Sequence, residues 1–246
     1  MSLPAVTSRQ EWLAARKELL QKEKEFTRLR DALNTSRRQL PMVLVDKEYV
    51  FEGPDGKVSL ADMFGVSRQL ILQHVMYDPQ WDDACPSCTA ALDEMSAGLL
   101  RNLRSRDTAF AAVSRAPYAK IAAYKERKGW DFPWYSSSGS DFNYDFHVTI
   151  DPSVAPVMFN YRDEAELKDA GFSWILDGSS EQPGVSCFLK DGGEVFHTYS
   201  TFGRGAEQFG GAYAFLDTTA LGRQEEWEEP KGRAPAARES VPVFAE

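Results

Sequence analysis

The run Leu70-Ile71-Leu72-Gln73-His74-Val75-Met76-Tyr77, continued by Trp81-Asp82-Asp83-Ala84-Cys85-Pro86-Ser87-Cys88-Thr89, decides the fold. Leu70 to Tyr77 is short and largely apolar, which reads as a buried strand. Pro86 suits the first position of a helix, where no N–H donor is needed, so a helix is predicted from Pro86 to about Arg104. Two cysteines three apart at the start of that helix can close a small disulfide ring. The free N–H groups of the helix end stabilise a thiolate on Cys85, lowering its pKa from the free value of about 8.5. In this Cys-x-x-Cys scheme Cys85 is the exposed nucleophile and Cys88, a turn further in, is the resolving thiol. The bland alternative is a pair of packed, inert thiols.

Working outward, Thr108 to Val113 reads as a second strand and Tyr118 to Lys128 as a second helix closed by Gly129. Val185 to Lys190, Asp191-Gly192-Gly193 and Glu194 to Ser200 form a hairpin that adds an antiparallel edge. A terminal helical segment follows. The order β-α-β-α-β-β gives an α/β protein of thioredoxin-like fold, a central mixed sheet flanked by helices. Upstream, Met42 to Phe51, the turn Gly53-Pro54-Asp55-Gly56 and Lys57 to Leu60 read as an N-terminal hairpin. Ser8 to about Arg38 lacks Gly and Pro and opens with Ser8 and Glu11 spaced as a capping box, so one long helix is expected. Trp12, Leu19, Phe26 and Leu33 recur every seven residues with Leu29 beside them. That stripe is expected to pack on the chain's own domain; the alternative is a homodimer through this helix. The aromatic and polar stretch Phe132 to Tyr144 is rich in turn residues and is expected to be a loop, its rings either plugging the core edge or bordering a pocket.

The 246-residue chain is expected to divide into a helical extension (1–40), one domain (41–227) and a tail (228–246) that its Pro, Gly and charges make mobile. A net charge of -9 opposes nucleic-acid binding. No apolar run approaches the roughly 20 residues that span a bilayer, so no membrane partner is expected. The N-terminus shows no signal-peptide pattern, and with three cysteines, two of them close together, a cytoplasmic location is expected.

Several stretches together carry a resemblance: Val58-Ser59-Leu60-Ala61-Asp62-Met63-Phe64, Cys85-Pro86-Ser87-Cys88, Val113-Ser114-Arg115-Ala116-Pro117, Gly139-Ser140-Asp141-Phe142-Asn143-Tyr144-Asp145-Phe146 and Phe196-His197-Thr198-Tyr199-Ser200-Thr201. With Glu11 to Arg16 and Leu221 to Glu225, the chain resembles the bacterial family catalogued as domain of unknown function 899, over nearly its whole length. The resemblance implies a fold related to thioredoxin and peroxiredoxin and brings no settled substrate. It departs from thioredoxins at Ala84, where they usually carry Trp. At Gly184-Val185-Ser186 it lacks the proline that faces their dithiol, Pro183 standing two residues early. Aligned with peroxiredoxins, Cys88-Thr89 takes the place of the peroxide-reactive thiol and Cys85 that of their threonine, with Arg115 as the nearest cation.

The reading favoured here is a thiol-disulfide oxidoreductase acting on a protein or small-molecule disulfide, without a cofactor. The alternative is a peroxide reductase with Cys88 reactive. His74, in the first strand, is either an acceptor for the Cys88 proton or a hydrogen-bonded core residue. The expected pocket is Trp81, Pro86, Ser87, Thr89 and Arg115, with Asp141, Tyr144 and Ser186 completing its border. A copper or zinc site from Cys85, Cys88 and His197, with Cys187 as a fourth ligand, is a competing class. A non-catalytic interaction protein is the third.

Overall fold

The computed structural model describes residues 3–209, 211, 216–220, 226, 229 and 231. These divide into two compact units, one carrying the N-terminal helix and one that begins at Met42 and holds every described strand. The predicted stretch Leu221 to Glu225 and nearly all of the 228–246 tail lie outside the described residues.

The helix α1 (Arg9–Arg38) forms where Ala, Leu, Glu, Lys and Arg run without a breaker. Ser8 Oγ accepts from the Glu11 N–H at 3.2 Å and the Glu11 carboxylate accepts from the Ser8 N–H at 3.0 Å, the expected capping box. No residue of α1 is buried. Within this unit the stripe Trp12, Leu19, Phe26, Leu29 and Leu33 is 48–69% exposed.

The second unit runs β1 (Val43–Leu44), β2 (Val50–Gly53), β3 (Gly56–Ser59), β4 (Gln69–His74), α2 (Pro86–Asp93), α3 (Ala97–Arg104), β5 (Thr108–Ser114), α4 (Tyr118–Lys128) and β6 (Trp134–Ser136). It continues through α5 (Phe142–Asp145), β7 (Thr149–Ile150), β8 (Met158–Phe159), β9 (Arg162–Asp163), α6 (Glu164–Asp169), β10 (Ser180–Glu181), β11 (Gly184–Asp191) and β12 (Glu194–Phe202). The main sheet has the order β1-β12-β11-β4-β5-β6-β2-β3. Strands β4, β5 and β6 are parallel, β11 is antiparallel to β4, and β12 is antiparallel to β11. A central strand that leads into a dithiol helix, parallel neighbours on one side and an antiparallel hairpin on the other make the fold thioredoxin-like.

Both faces of the central strands are covered, which is why β5 is buried almost throughout. Alternation along β4 and β5 sends side chains to two cores. One holds Val75, Cys88, Leu92, Phe110, Tyr124 and Trp134. The other holds Phe51, Leu70, Leu72, Val113, Phe142 and Phe188. Burying each such side chain contributes about 1.5–3 kcal/mol.

Four expectations are corrected. The stretch Met42 to Phe51 is not one strand: β1 crosses to the far edge of the sheet, with Val43 opposite His197, while β2 pairs with β3 and β6. The final hairpin is therefore not the edge, because β1 covers β12. The helix after the dithiol breaks at Glu94–Ser96, where Ser96 Oγ accepts from the Leu99 N–H at 3.2 Å and starts α3. Within Phe132 to Tyr144 lie β6 and the start of α5, because Trp134 and Phe142 are drawn into the two cores. Only the 3-10 turn Gly203–Phe209 of the expected terminal helical segment falls wholly among the described residues.

Candidate active site

Cys85 is the N-cap of α2 and Pro86 its first residue, so the dithiol sits at the N-terminal end of that helix. The ten-residue segment from Met76 to Cys85 is closed by the Cys85 N–H donating to the Met76 carbonyl at 2.9 Å. Tyr77 Oη donates to the Asp82 carbonyl at 2.8 Å, and Lys120 Nζ donates to the carbonyls of Pro79 at 2.9 Å and Trp81 at 2.8 Å. The approach to the first cysteine is thus held by Tyr77, which follows β4, and by Lys120 of α4. Beneath it, Thr89 Oγ1 and Tyr124 Oη share a buried hydrogen bond of 2.8 Å, which makes Thr89 a packing residue.

The two thiols have opposite surroundings. Cys85 is half-buried and its Sγ lies 3.1 Å from Ser87 Oγ. A hydrogen bond from Cys88 is the largest influence on it; with Ser87 and the N–H groups of Cys88 and Ser87, this lowers the Cys85 thiol to about 5 against the opposing effect of burial. Cys88 is buried, and its bond to Cys85 together with desolvation holds it well above the ordinary thiol range. At neutral pH the pair is one thiolate and one thiol. Such a division can supply an outer nucleophile and an inner resolving group.

Beside this turn lies a cleft of about 430 Å³ lined by the Asp78–Trp81 segment, Arg115, Asp151 and Ser179. Arg115 Nη1 donates to Tyr144 Oη at 2.8 Å, and its Nη2 and Nε stand 3.4 Å from Asp78 and 3.3 Å from Glu181. Glu181 is 3% exposed and accepts from Thr149 Oγ1 at 3.0 Å on both oxygens. Asn143 Nδ2 donates to Thr149 Oγ1 at 3.2 Å, and Ser137 Oγ donates to Asn143 Oδ1 at 2.7 Å, extending the network into the core. Desolvation is the largest influence on Glu181 and outweighs Arg115, raising the carboxyl to about 7.

The predicted residues divide accordingly. Trp81, Pro86, Ser87 and Arg115 lie at the turn or the cleft, and Tyr144 is reached only through Arg115. His74 does not reach the dithiol: it shares its sheet face with Leu70 and Leu72, beside Phe142 at 5.8 Å, opposite the face that holds Val75 and Cys88. Its Nε2 lies 2.7 Å from Ser186 Oγ, which places Ser186 in the core and not in a pocket. Asp141 is turned to the surface, where its carboxylate binds Lys47 at 2.8 Å. Pro183 immediately precedes β11, which starts at Gly184 as expected. His197 faces Phe146 and Ser200 on the His74 side of the sheet and does not join the cysteines. Burial pushes the Cys187 thiol to about 11. Among the described residues no group of three or more His, Cys, Asp and Glu is arranged to hold a metal ion, and no helix is long and apolar enough to cross a membrane.

The sequence reading missed Asp78, Asp151, Ser179 and Glu181. Each lies in a polar turn-rich stretch that looks solvated until the fold folds it over Arg115.

A model of the family described as "Bacterial protein of unknown function (DUF899)" matches residues 1–239. No curated protein matches the chain. Among solved structures, a Xylella fastidiosa PrxQ mutant aligns at 12% identity over 69% of this chain and 90% of that one, with a TM-score of 0.41. The Xanthomonas campestris bacterioferritin comigratory protein aligns at 12% identity over 65% and 87%, also at 0.41. These likenesses are loose, and the fold assignment rests on the strand order itself.

Proposed function

The chain belongs to the bacterial family of unknown function DUF899, and from that premise we propose that it is a thiol-disulfide oxidoreductase working through Cys85 and Cys88. The observation that carries this reading is the unequal pair: a half-buried thiol held near pKa 5 beside a buried one held high. The Cys85 thiolate attacks one sulfur of a disulfide R–S–S–R, forming Cys85–S–S–R and releasing RS⁻. Cys88 then gives its proton to a released thiolate and attacks Cys85 Sγ, closing the Cys85–Cys88 disulfide and releasing the second RS⁻. The two cysteines are oxidised by two electrons, the substrate is reduced to two thiols, and a separate dithiol reductant restores the pair. No step needs His74.

The test is the mass of the peptide containing Cys85 and Cys88 after reduced protein meets a stoichiometric low-molecular-weight disulfide or peroxide. Loss of two hydrogens with the disulfide supports exchange chemistry. A reaction confined to peroxide redirects the assignment to peroxide reduction, and two unchanged thiols overturn it.

A further inference from the structure

The cleft beside the dithiol turn has a charge pattern that selects among disulfides. Arg115 carries five N–H donors, of which one meets Tyr144 at 2.8 Å, one Asp78 at 3.4 Å and one Glu181 at 3.3 Å. Two N–H groups remain without a protein partner among the described residues, on a guanidinium that lines the cleft and is only 18% exposed. A planar carboxylate is the group that such a fork accepts best. Around it stand carboxylates on two sides. Asp78 accepts from the Gln80 N–H at 2.8 Å on Oδ1 and meets Arg115 with Oδ2, and Asp151 accepts from Ser153 N and Oγ at 2.9 and 2.6 Å and from the Ser179 side chain; both line the cleft as anionic groups. Trp81, 38% exposed, adds an apolar wall.

A purely anionic ligand meets repulsion from Asp78 and Asp151, and a purely cationic one meets Arg115. A carboxylate and an ammonium on one carbon satisfy both. The reach is also bounded: Asp78 is two residues from Met76, whose carbonyl is 2.9 Å from Cys85 N, so chain geometry keeps its backbone within roughly 14 Å of Cys85. We propose that this cleft binds the α-amino-carboxylate end of an amino-acid or short-peptide disulfide and delivers its sulfur to Cys85. The proposal rests on the oxidoreductase reading for its reaction but not for its binding site. The electron balance is that of the exchange above, with R the amino-acid or peptide residue.

The experiment has two arms on the full chain. In the first, reduced protein is oxidised by cystine, glutathione disulfide, cystamine, dithiodiglycolate or bis(2-hydroxyethyl) disulfide, each rate divided by that of free dithiothreitol with the same oxidant. The zwitterionic cystine and glutathione disulfide should exceed the other three by about tenfold, and Asp151→Asn, a surface change, should shrink that ratio. In the second, the Cys85→Ser protein is titrated calorimetrically with S-methylcysteine, which has no exchangeable sulfur. Binding is expected, and it should weaken with Arg115→Lys or Asp151→Asn in the same background. Equal normalised rates for all five disulfides, with no binding of S-methylcysteine, overturn the proposal and leave the oxidoreductase reading standing. Binding of S-methylcysteine without oxidation by any disulfide keeps the cleft assignment and removes the redox reading.

Discussion

His74 Nε2 lies 2.7 Å from Ser186 Oγ, on the face of the sheet turned away from Cys88. The contact continues from Ser186 Oγ to Ser200 Oγ and from Ser200 Oγ to His197 Nε2, both at 2.7 Å, so β4, β11 and β12 are tied by side chains as well as by their ladder. Burial holds the His74 imidazole at about 3, which keeps it neutral at physiological pH. Ser186→Ala leaves that ring nitrogen buried without its partner and should cost about 1–3 kcal/mol in urea denaturation. The pH profile of Cys85 alkylation should not move. A shifted profile would mean that the two faces communicate and that His74 acts on the dithiol after all.

Alkylation of the reduced protein, followed site by site by mass, should show Cys85 reacting with an inflection near pH 5 and Cys88 resisting through neutral pH. Since the bond from Cys88 is the largest influence on Cys85, Cys88→Ala should raise that inflection more than Ser87→Ala does, by a unit or more, equivalent to about 1.4 kcal/mol. The reverse order would place the stabilising donor at Ser87.

Glu181 gives a pH dependence of stability with a definite sign. Its folded carboxyl is raised from 4.5 to about 7. Below about 4.5 folded and unfolded forms both hold the proton. Between 4.5 and 7 only the folded form does, so stability falls as pH rises through that window and levels off above it. Relative to Glu181→Gln, the wild type should lose about 3 kcal/mol between pH 4.5 and 8; comparison with the variant cancels the opposite slope from Cys85. A flat difference would mean that Arg115 fully compensates the burial of the carboxylate.

Trp134 is 1% exposed, donates from Nε1 to Ser114 Oγ at 3.0 Å, and touches the rings of Tyr77, Tyr124 and Trp130. Trp134→Ala should cost about 3–5 kcal/mol in chemical denaturation, the range of large aromatic deletions from a core. A cost below about 1 kcal/mol, the level of a surface change, would return this segment to the status of a loop.

That last segment shows where the sequence was legible and where it was not. The strand, the dithiol and the helix are neighbours in the chain, so Pro86 at the first helical position and the apolar run before it could be read directly. Strand β6 is three residues flanked by Pro133 and a serine run, and its pairing of Ala112 with Trp134, Ser114 with Ser136 and Glu52 with Ser136 makes it a strand. Val43 finds its partner at His197, far along the chain, which local pattern cannot encode. The break between α2 and α3 did carry a signal, Ser96 ahead of Leu99, but Met95 and the leucines around it hid it. His74 was misplaced because Ile71 and Val75 give the other face of this stretch apolar residues as well, so the run alone did not reveal that 70, 72 and 74 look away from the dithiol. Glu181 resembled a solvated charge between Ser180 and Gln182, and only the tertiary fold buries it against Arg115.

The segment from Met76 to Cys85 has its carbonyls at Met76, Asp78, Pro79, Trp81 and Asp82 all engaged by donors. Such a segment has few conformations left to lose when a substrate arrives. Its order is set once, when the domain folds, rather than at each encounter. The activation entropy of disulfide exchange at Cys85 should therefore lie close to that of a small rigid thiol, and Lys120→Met, which frees the Pro79 and Trp81 carbonyls, should appear mainly as a more negative activation entropy in the temperature dependence of the rate.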